Sequence, residues 1–258
     1  MVIVNILDKK YWDVWIAGSH YNTKPKVMQT VKEWCIAEKA DLAYNLALFN
    51  FSDGKTVTFV HNYVGDIGYG GKGEIVHLNA QNYCRGYSSG ITNNKVVINA
   101  PLGGSRTRNG IGLTSENDVI IAQSNSKMKE KTFCDQVLKI ANKQGAYVKL
   151  FVLEDGGGST AHYSAISRLG FAPEGGRRVP TVVCLRHKNF PKVERTLQRG
   201  SKGDDVKLLQ QVLGGIEVDG SYGAGIYGTV QRVKAAQKAL GLKATGIADE
   251  RTLRALGL

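Results

Sequence analysis

The chain has 258 residues, 42 % apolar and 22 % charged, ordinary globular usage that excludes wholesale disorder, a fibrous repeat and a mini-protein held by cross-links. Basic residues outnumber acidic ones by 34 to 22, a net charge of +12, which favours nucleic acid, anionic lipid or an anionic wall polymer without choosing among them. No run approaches eighteen apolar residues, and no cationic segment precedes the short apolar start; a soluble chain made in the cytosol without a cleavable signal is expected.

In chain order, Thr23 can cap a helix whose inward face carries Val27, Val31, Trp34 and Cys35. Residues 42–51 are apolar at nearly every position, as in a strand covered on both faces. Shorter strand patterns follow at 57–60, 74–78 and 95–98, then a hairpin in which 111–113 and 119–122 flank the turn 115–118. Thr132 and Asp135 suggest a variant capping box, with Phe133, Val137, Ile140 and Ala141 forming one stripe until Gly145 stops the helix. The apolar run 147–153 then enters Glu154-Asp155-Gly156-Gly157-Gly158-Ser159-Thr160. Residues 189–195 read as a polar, basic linker, and amphipathic helical patterns at 204–213, 229–240 and 249–256 complete the chain. The 31 glycines, where ~7 % usage would give about 18, cluster in the loops.

Four cysteines, Cys35, Cys84, Cys134 and Cys184, lack metal-knuckle or redox spacing and read as buried free thiols. The five histidines show no compact ligand spacing, so neither metal nor cofactor is expected. The glycine run Gly68-Tyr69-Gly70-Gly71-Lys72-Gly73 precedes a strand pattern where a dinucleotide site needs a helix. Three glycines in succession after a buried strand free the amides of Gly156, Gly157 and Gly158 to face an anion. Ser159 adds a hydroxyl and Asp155 a carboxylate, whereas Glu154, on the opposite side of the strand, is assigned to the fold. His162 lies three residues beyond Ser159, and basic residues gather in two glycine loops, around Arg106 and Arg108 and around Arg177 and Arg178. Each of these loops, taken alone, also fits an unliganded turn or a solvated charge cluster.

The order of these segments resembles the phosphodiester glycosidase family. Its D-G-G-G-S signature is matched by Asp155 to Ser159, its R-x-a-I-G-i strand by Arg108-Asn109-Gly110-Ile111-Gly112-Leu113, and its R-p-V-P-x segment by Arg177-Arg178-Val179-Pro180-Thr181. Asn45 and Phe49 match a fourth motif in which Leu46 and Ala47 replace two glycines. The resemblance spans 1–188 and implies an α+β mixed-sheet catalytic domain, with Asp155, Ser159, Arg108 and Arg177 near the reacting phosphate and Asn45 in substrate binding; His162 is a further substrate-binding candidate by its place beyond Ser159, its alternative being a solvated loop histidine. The region 196–258 is similar to the peptidoglycan-binding type 1 domain, a small all-α three-helix module, through the segment from Leu197 to Gln210 and through Asp219, Tyr222, Thr229, Val233 and Gln237. Asp219, Tyr222 and Gln237 are the implied peptidoglycan contacts. The chain departs from that pattern by about three extra residues between Gly223 and Thr229 and by Ala236 where the family has phenylalanine.

Together these readings imply a cell-wall hydrolase, with phage endolysin as the setting, released to the wall and cutting a sugar-1-phosphodiester or glycosidic linkage. Its partner is peptidoglycan or an associated anionic wall glycopolymer, with no nucleic acid and no membrane insertion. The alternatives are a glycan-strand glycosidase, for which Asp53 or Asp66 would supply a second carboxylate, and a wall-binding protein without catalysis.

Overall fold

The structure is a computed structural model describing residues 1–18, 25, 27–46, 49, 52, 55, 60–61, 73–188 and 192–258. Thr23, Ala47, Asp53, Asp66, residues 57–59, most of the 68–73 glycine run and part of the expected linker lie outside them. The elements run β1 (Val2–Leu7), β2 (Trp12–Gly18), α1 (Val31–Ala37), β3 (Leu42–Asn45), β4 (Val60–His61), β5 (Ile75–His77), β6 (Tyr83–Arg85), β7 (Ser88–Thr92), β8 (Lys95–Val96), β9 (Asn109–Thr114), β10 (Val119–Ser124), α2 (Glu130–Lys143) and β11 (Val148–Glu154). Then come β12 (His162–Ser164), β13 (Leu169–Phe171), β14 (Thr181–His187) and three helices, α3 (Asp204–Leu213), α4 (Thr229–Ala239) and α5 (Glu250–Ala255).

Strands form a six-stranded sheet, β1-β10-β9-β11-β7-β8, a five-stranded sheet, β13-β12-β3-β14-β2, and a three-stranded sheet, β4-β6-β5. Each ladder among the described residues is antiparallel. The body is therefore α+β, followed by a helical region. Period-two alternation sorts its side chains into layers. Ile111, Ile121 and Val152 of the large sheet meet Leu42, Tyr44, Val183 and Leu185 of the second sheet. Their neighbours Ile120, Ala122, Phe151 and Leu153 face outward onto Phe133 and Val137 of α2. On the far side Ala43, Val182 and Cys184 receive Val31, Trp34 and Cys35 of α1.

Two helix starts differ from expectation. α1 is capped by Thr30, whose hydroxyl accepts from Glu33 N while the Glu33 carboxylate accepts from Thr30 N, and Val27 stays half exposed ahead of it. The reciprocal Thr30–Glu33 pair satisfies two amide donors, which a start at Thr23 would forgo. α2 begins after Lys129 without a side-chain cap, and Thr132 lies inside its first turn, where the buried Glu130 pairs with Arg108. The four cysteines are free and buried. No described helix is long and apolar enough to cross a membrane.

The helical region packs Val206, Leu209, Leu213, Val233 and Leu253 around Tyr222. It docks on the body through Ser164 Oγ and Ser167 Oγ, which donate to Val212 O (2.9 Å) and Leu213 O (3.1 Å), and through Gln211 Nε2, which donates to Ile6 O (2.9 Å).

Candidate active site

β11 delivers Asp155 to the end of the large sheet, where the chain turns through a single 3-10 turn at Gly157–Ser159. Gly157 sits in the left-handed region (φ 61°), and a Cβ at Gly156 would lie 2.3 Å from Thr107 O, so this bend takes glycine for steric reasons. Thr107 holds one side of the loop. Gly157 N donates to Thr107 O (2.8 Å), and the Thr107 hydroxyl lies 2.8 Å from both Gly157 O and Glu174 Oε1. The other side is held by Arg177 N, which donates to Gly158 O (3.0 Å). The Arg177 guanidinium lies over Gly158, so that an added Cβ would be 2.6 Å from its terminal nitrogen. Three segments distant in sequence thus close on one loop, and Glu174 ties the two outer ones together through Thr107 N (3.2 Å).

Asp155 is buried, and its Oδ2 makes no hydrogen bond in the described protein. Burial pushes its carboxyl up to about 7, against the opposing pull of nearby Ser159, Arg177, Arg106 and the Gly156 amide. The Ser159 hydroxyl is likewise buried and lacks a partner in hydrogen-bond geometry, although it lies close enough to Asp155 to act on its charge. Two polar groups left without protein partners beside exposed arginines form a site suited to an anionic, oxygen-rich ligand.

Several expected contacts prove to be supports. Arg108 is buried, with Nη1 3.1 Å from Glu130 Oε1 and the other nitrogens donating to Met128 O, Gly103 O and Gly104 O. Its charge is neutralised and its donors are occupied, so the cation near Asp155 from this segment is the exposed Arg106, two residues earlier. Spacing alone could not separate the two.

Asn45 is also buried. Its Nδ2 donates to Asp155 O (2.8 Å), and its Oδ1 accepts from Ala161 N (3.0 Å) and Gln123 Nε2 (3.1 Å). It positions the backbone of Asp155 and has no surface for substrate. His162, in β12, sits at the junction with the helical region, its Nδ1 2.9 Å from Gln123 Oε1 and its ring stacked on Phe171. Its Nε2 faces Gly214, and burial lowers its pKa to about 3; it is a neutral core residue, closed to substrate. Gly157 N is spent on Thr107, so this amide is not an anion donor either.

The three expected wall contacts are structural in the same way. Tyr222 is buried with its hydroxyl on Gly246 O (3.0 Å), Gln237 is buried in a bond network with Gly246, Ile247 and Thr252, and Asp219 Oδ1 accepts from Gln210 Nε2 (2.8 Å) and Ser221 N (2.8 Å).

Residues 202–256 match the family model described as "Putative peptidoglycan binding domain". That match covers α3 to α5 and leaves the sheet body aside. No curated protein matches the chain. Among solved structures, the auto-inhibited catalytic domain of zebrafish N-acetylglucosamine-1-phosphodiester alpha-N-acetylglucosaminidase is similar with a TM-score of 0.52 at 12 % identity, covering 72 % of this chain and 88 % of that one. A hypothetical protein from Synechocystis reaches 0.50 at 12 % identity, covering 72 % and 59 % respectively. At such identity the likeness speaks for the fold alone.

The geometry makes one local prediction. Gly158→Ala should displace only the flexible end of Arg177, leaving the thermal midpoint within a few degrees while lowering activity; a variant of full activity would show that Arg177 does not need its place over the loop.

Proposed function

We propose that the chain is a cell-wall hydrolase that cuts a sugar-1-phosphodiester or related glycosidic linkage and is held at the wall by its helical region. A phage endolysin, made in the cytosol and released onto the wall, is the setting we favour. The observation that carries the reading is Asp155, a buried carboxyl pushed up to about 7 with an unpartnered oxygen, within electrostatic reach of Arg106 and Arg177. A carboxyl poised there is protonated in a large share of molecules at neutral pH and can give its proton to the departing oxygen. Arg177 and Arg106 hold the phosphate oxyanions, and Ser159 donates a further hydrogen bond. Glu174 and Thr107 keep the loop and both arginine segments in register. The peptidoglycan-binding match supports retention at an insoluble substrate, which raises its local concentration.

The test is turbidity loss of purified walls followed by mass spectrometry of the soluble fragments. Phosphorylated or phosphate-terminated sugar products support the proposal. New reducing ends from peptidoglycan stripped of anionic polymer would transfer the activity to the glycan strand, and walls that bind the protein yet keep their absorbance would make it a binder.

A further inference from the structure

The helical region contains the same device twice. In the first copy Gln210 Nε2 lies 3.1 Å from Ser221 O and 3.0 Å from Thr229 Oγ1, while Gln210 Oε1 accepts from Gly220 N (2.9 Å). In the second, Gln237 Nε2 lies 2.9 Å from Ile247 O and 3.0 Å from Thr252 Oγ1, while Gln237 Oε1 accepts from Gly246 N (2.9 Å). Both glycines are left-handed, with φ 70° and 76°. Gly246 and Thr252 are six residues apart, but Gly220 and Thr229 are nine. The second copy shows that the device closes without these three extra residues, so the longer loop of the first copy is not required by the fold.

That loop, Gly223-Ala224-Gly225-Ile226-Tyr227-Gly228, places Ile226 85 % and Tyr227 64 % exposed, the only adjacent pair of exposed large apolar side chains among the described residues. Other exposed apolar side chains stand singly, which is ordinary for a protein surface. The loop is also built: Gly228 N donates to Gly225 O (2.7 Å), and Val230 N to Gly223 O (3.0 Å). At Gly223 and Gly225 an added Cβ would meet nothing within 4 Å, so the loop around the exposed pair is open to a ligand. No charge occurs from Gly220 to Gln231, within a region that carries 11 basic and 7 acidic residues from Lys192 onward.

We infer that Ile226 and Tyr227 form a contact for a neutral sugar ring of the wall glycan. An aromatic face packs against the C–H face of a pyranose, an aliphatic neighbour covers an acetyl methyl, and neither demands charge. An anionic polymer would draw on the basic surface instead. The inference rests on the wall-binding reading given above, and it places the specificity of the helical region in the inserted loop rather than in its buried polar groups.

The test uses the full chain and peptidoglycan sacculi stripped of anionic polymer, with a soluble chitooligosaccharide as a second probe. Tyr227→Ala with Ile226→Ser is expected to weaken sedimentation with sacculi at least tenfold at an unchanged thermal midpoint, with Tyr227→Trp restoring it, and the parent is expected to bind the oligosaccharide. A double variant that binds sacculi as its parent does would overturn the inference while leaving the wall-binding reading intact. Failure of the parent itself to bind sacculi would remove both. A parent that self-associates, with the double variant monomeric and equally bound to sacculi, would assign the pair to a second copy of the chain and overturn the sugar contact.

Discussion

Asp155→Asn is expected to leave wall binding unchanged, slow bond cleavage by about 10²–10⁴-fold, and make the chain harder to unfold at pH 8. The last effect follows from the direction of the pKa shift. Burial holds the folded carboxyl at about 7, above its ordinary value of 3.8, so the native state binds more protons than the unfolded chain between those values. Native stability therefore falls as pH rises from about 4 to 7 and stays lowered above it. The asparagine variant carries no such penalty. Its advantage should reach at most ~4 kcal/mol near pH 8 and vanish below pH 4, as read by denaturant titration at both ends. In the parent, activity should decline above pH 7 as the general acid loses its proton; a rate that climbs through this range would make Asp155 a base or nucleophile instead.

Arg108→Met should give the opposite pattern to Arg177→Gln. Removing Arg108 strands the buried Glu130, whose Oε1 also accepts from Leu102 N and Tyr87 Oη, and the loss should be about 3–5 kcal/mol. Glu130→Gln in the same chain should return part of that stability, because an amide oxygen still accepts those bonds without a buried charge. Arg177 is exposed over the loop, so its replacement should change stability by less than about 1 kcal/mol and lower the cleavage rate by about 10²-fold. Equal stability losses at the two positions would place both arginines in the framework.

Asn45→Ala offers a third comparison. It leaves Ala161 N and Asp155 O without the partners they have now, and on the order of 3 kcal/mol of stability should go with them. The measurement is a denaturation midpoint alongside the cleavage rate, since a displaced Asp155 backbone costs activity even where folding survives.

Local signals were legible in the sequence where a residue's neighbours along the chain decide its state. The hairpin turn between β9 and β10, the apolar run of β11, the break at Gly145, and the start of α3 at Asp204 are matters of local pattern and propensity, and they stand where the pattern put them. The free, buried state of the four cysteines followed from their spacing. The bend at Gly156 to Gly158 could likewise be read as a place where the backbone needs room.

Which polar residue faces the ligand was not legible, because that depends on partners far away in the chain. Arg106 and Arg108 are both arginines in one short stretch, and only the approach of Glu130 and the Met128 carbonyl buries one and leaves the other outside. Asn45 and His162 look like site residues in a list of polar groups, but the packing of two sheets joins them through Gln123 into a buried cross-link. Gln237 and Tyr222 close the helical core for the same reason. Composition and periodicity thus determined that this chain mixes helices and strands in its larger part, follows it with a helical region and bends through glycines at a strand end, while the antiparallel pairing of the sheets came from the tertiary structure. Only tertiary structure decided which charges were desolvated and paired and which stayed exposed beside the loop, since the energy of a buried charge is set by what surrounds it in space.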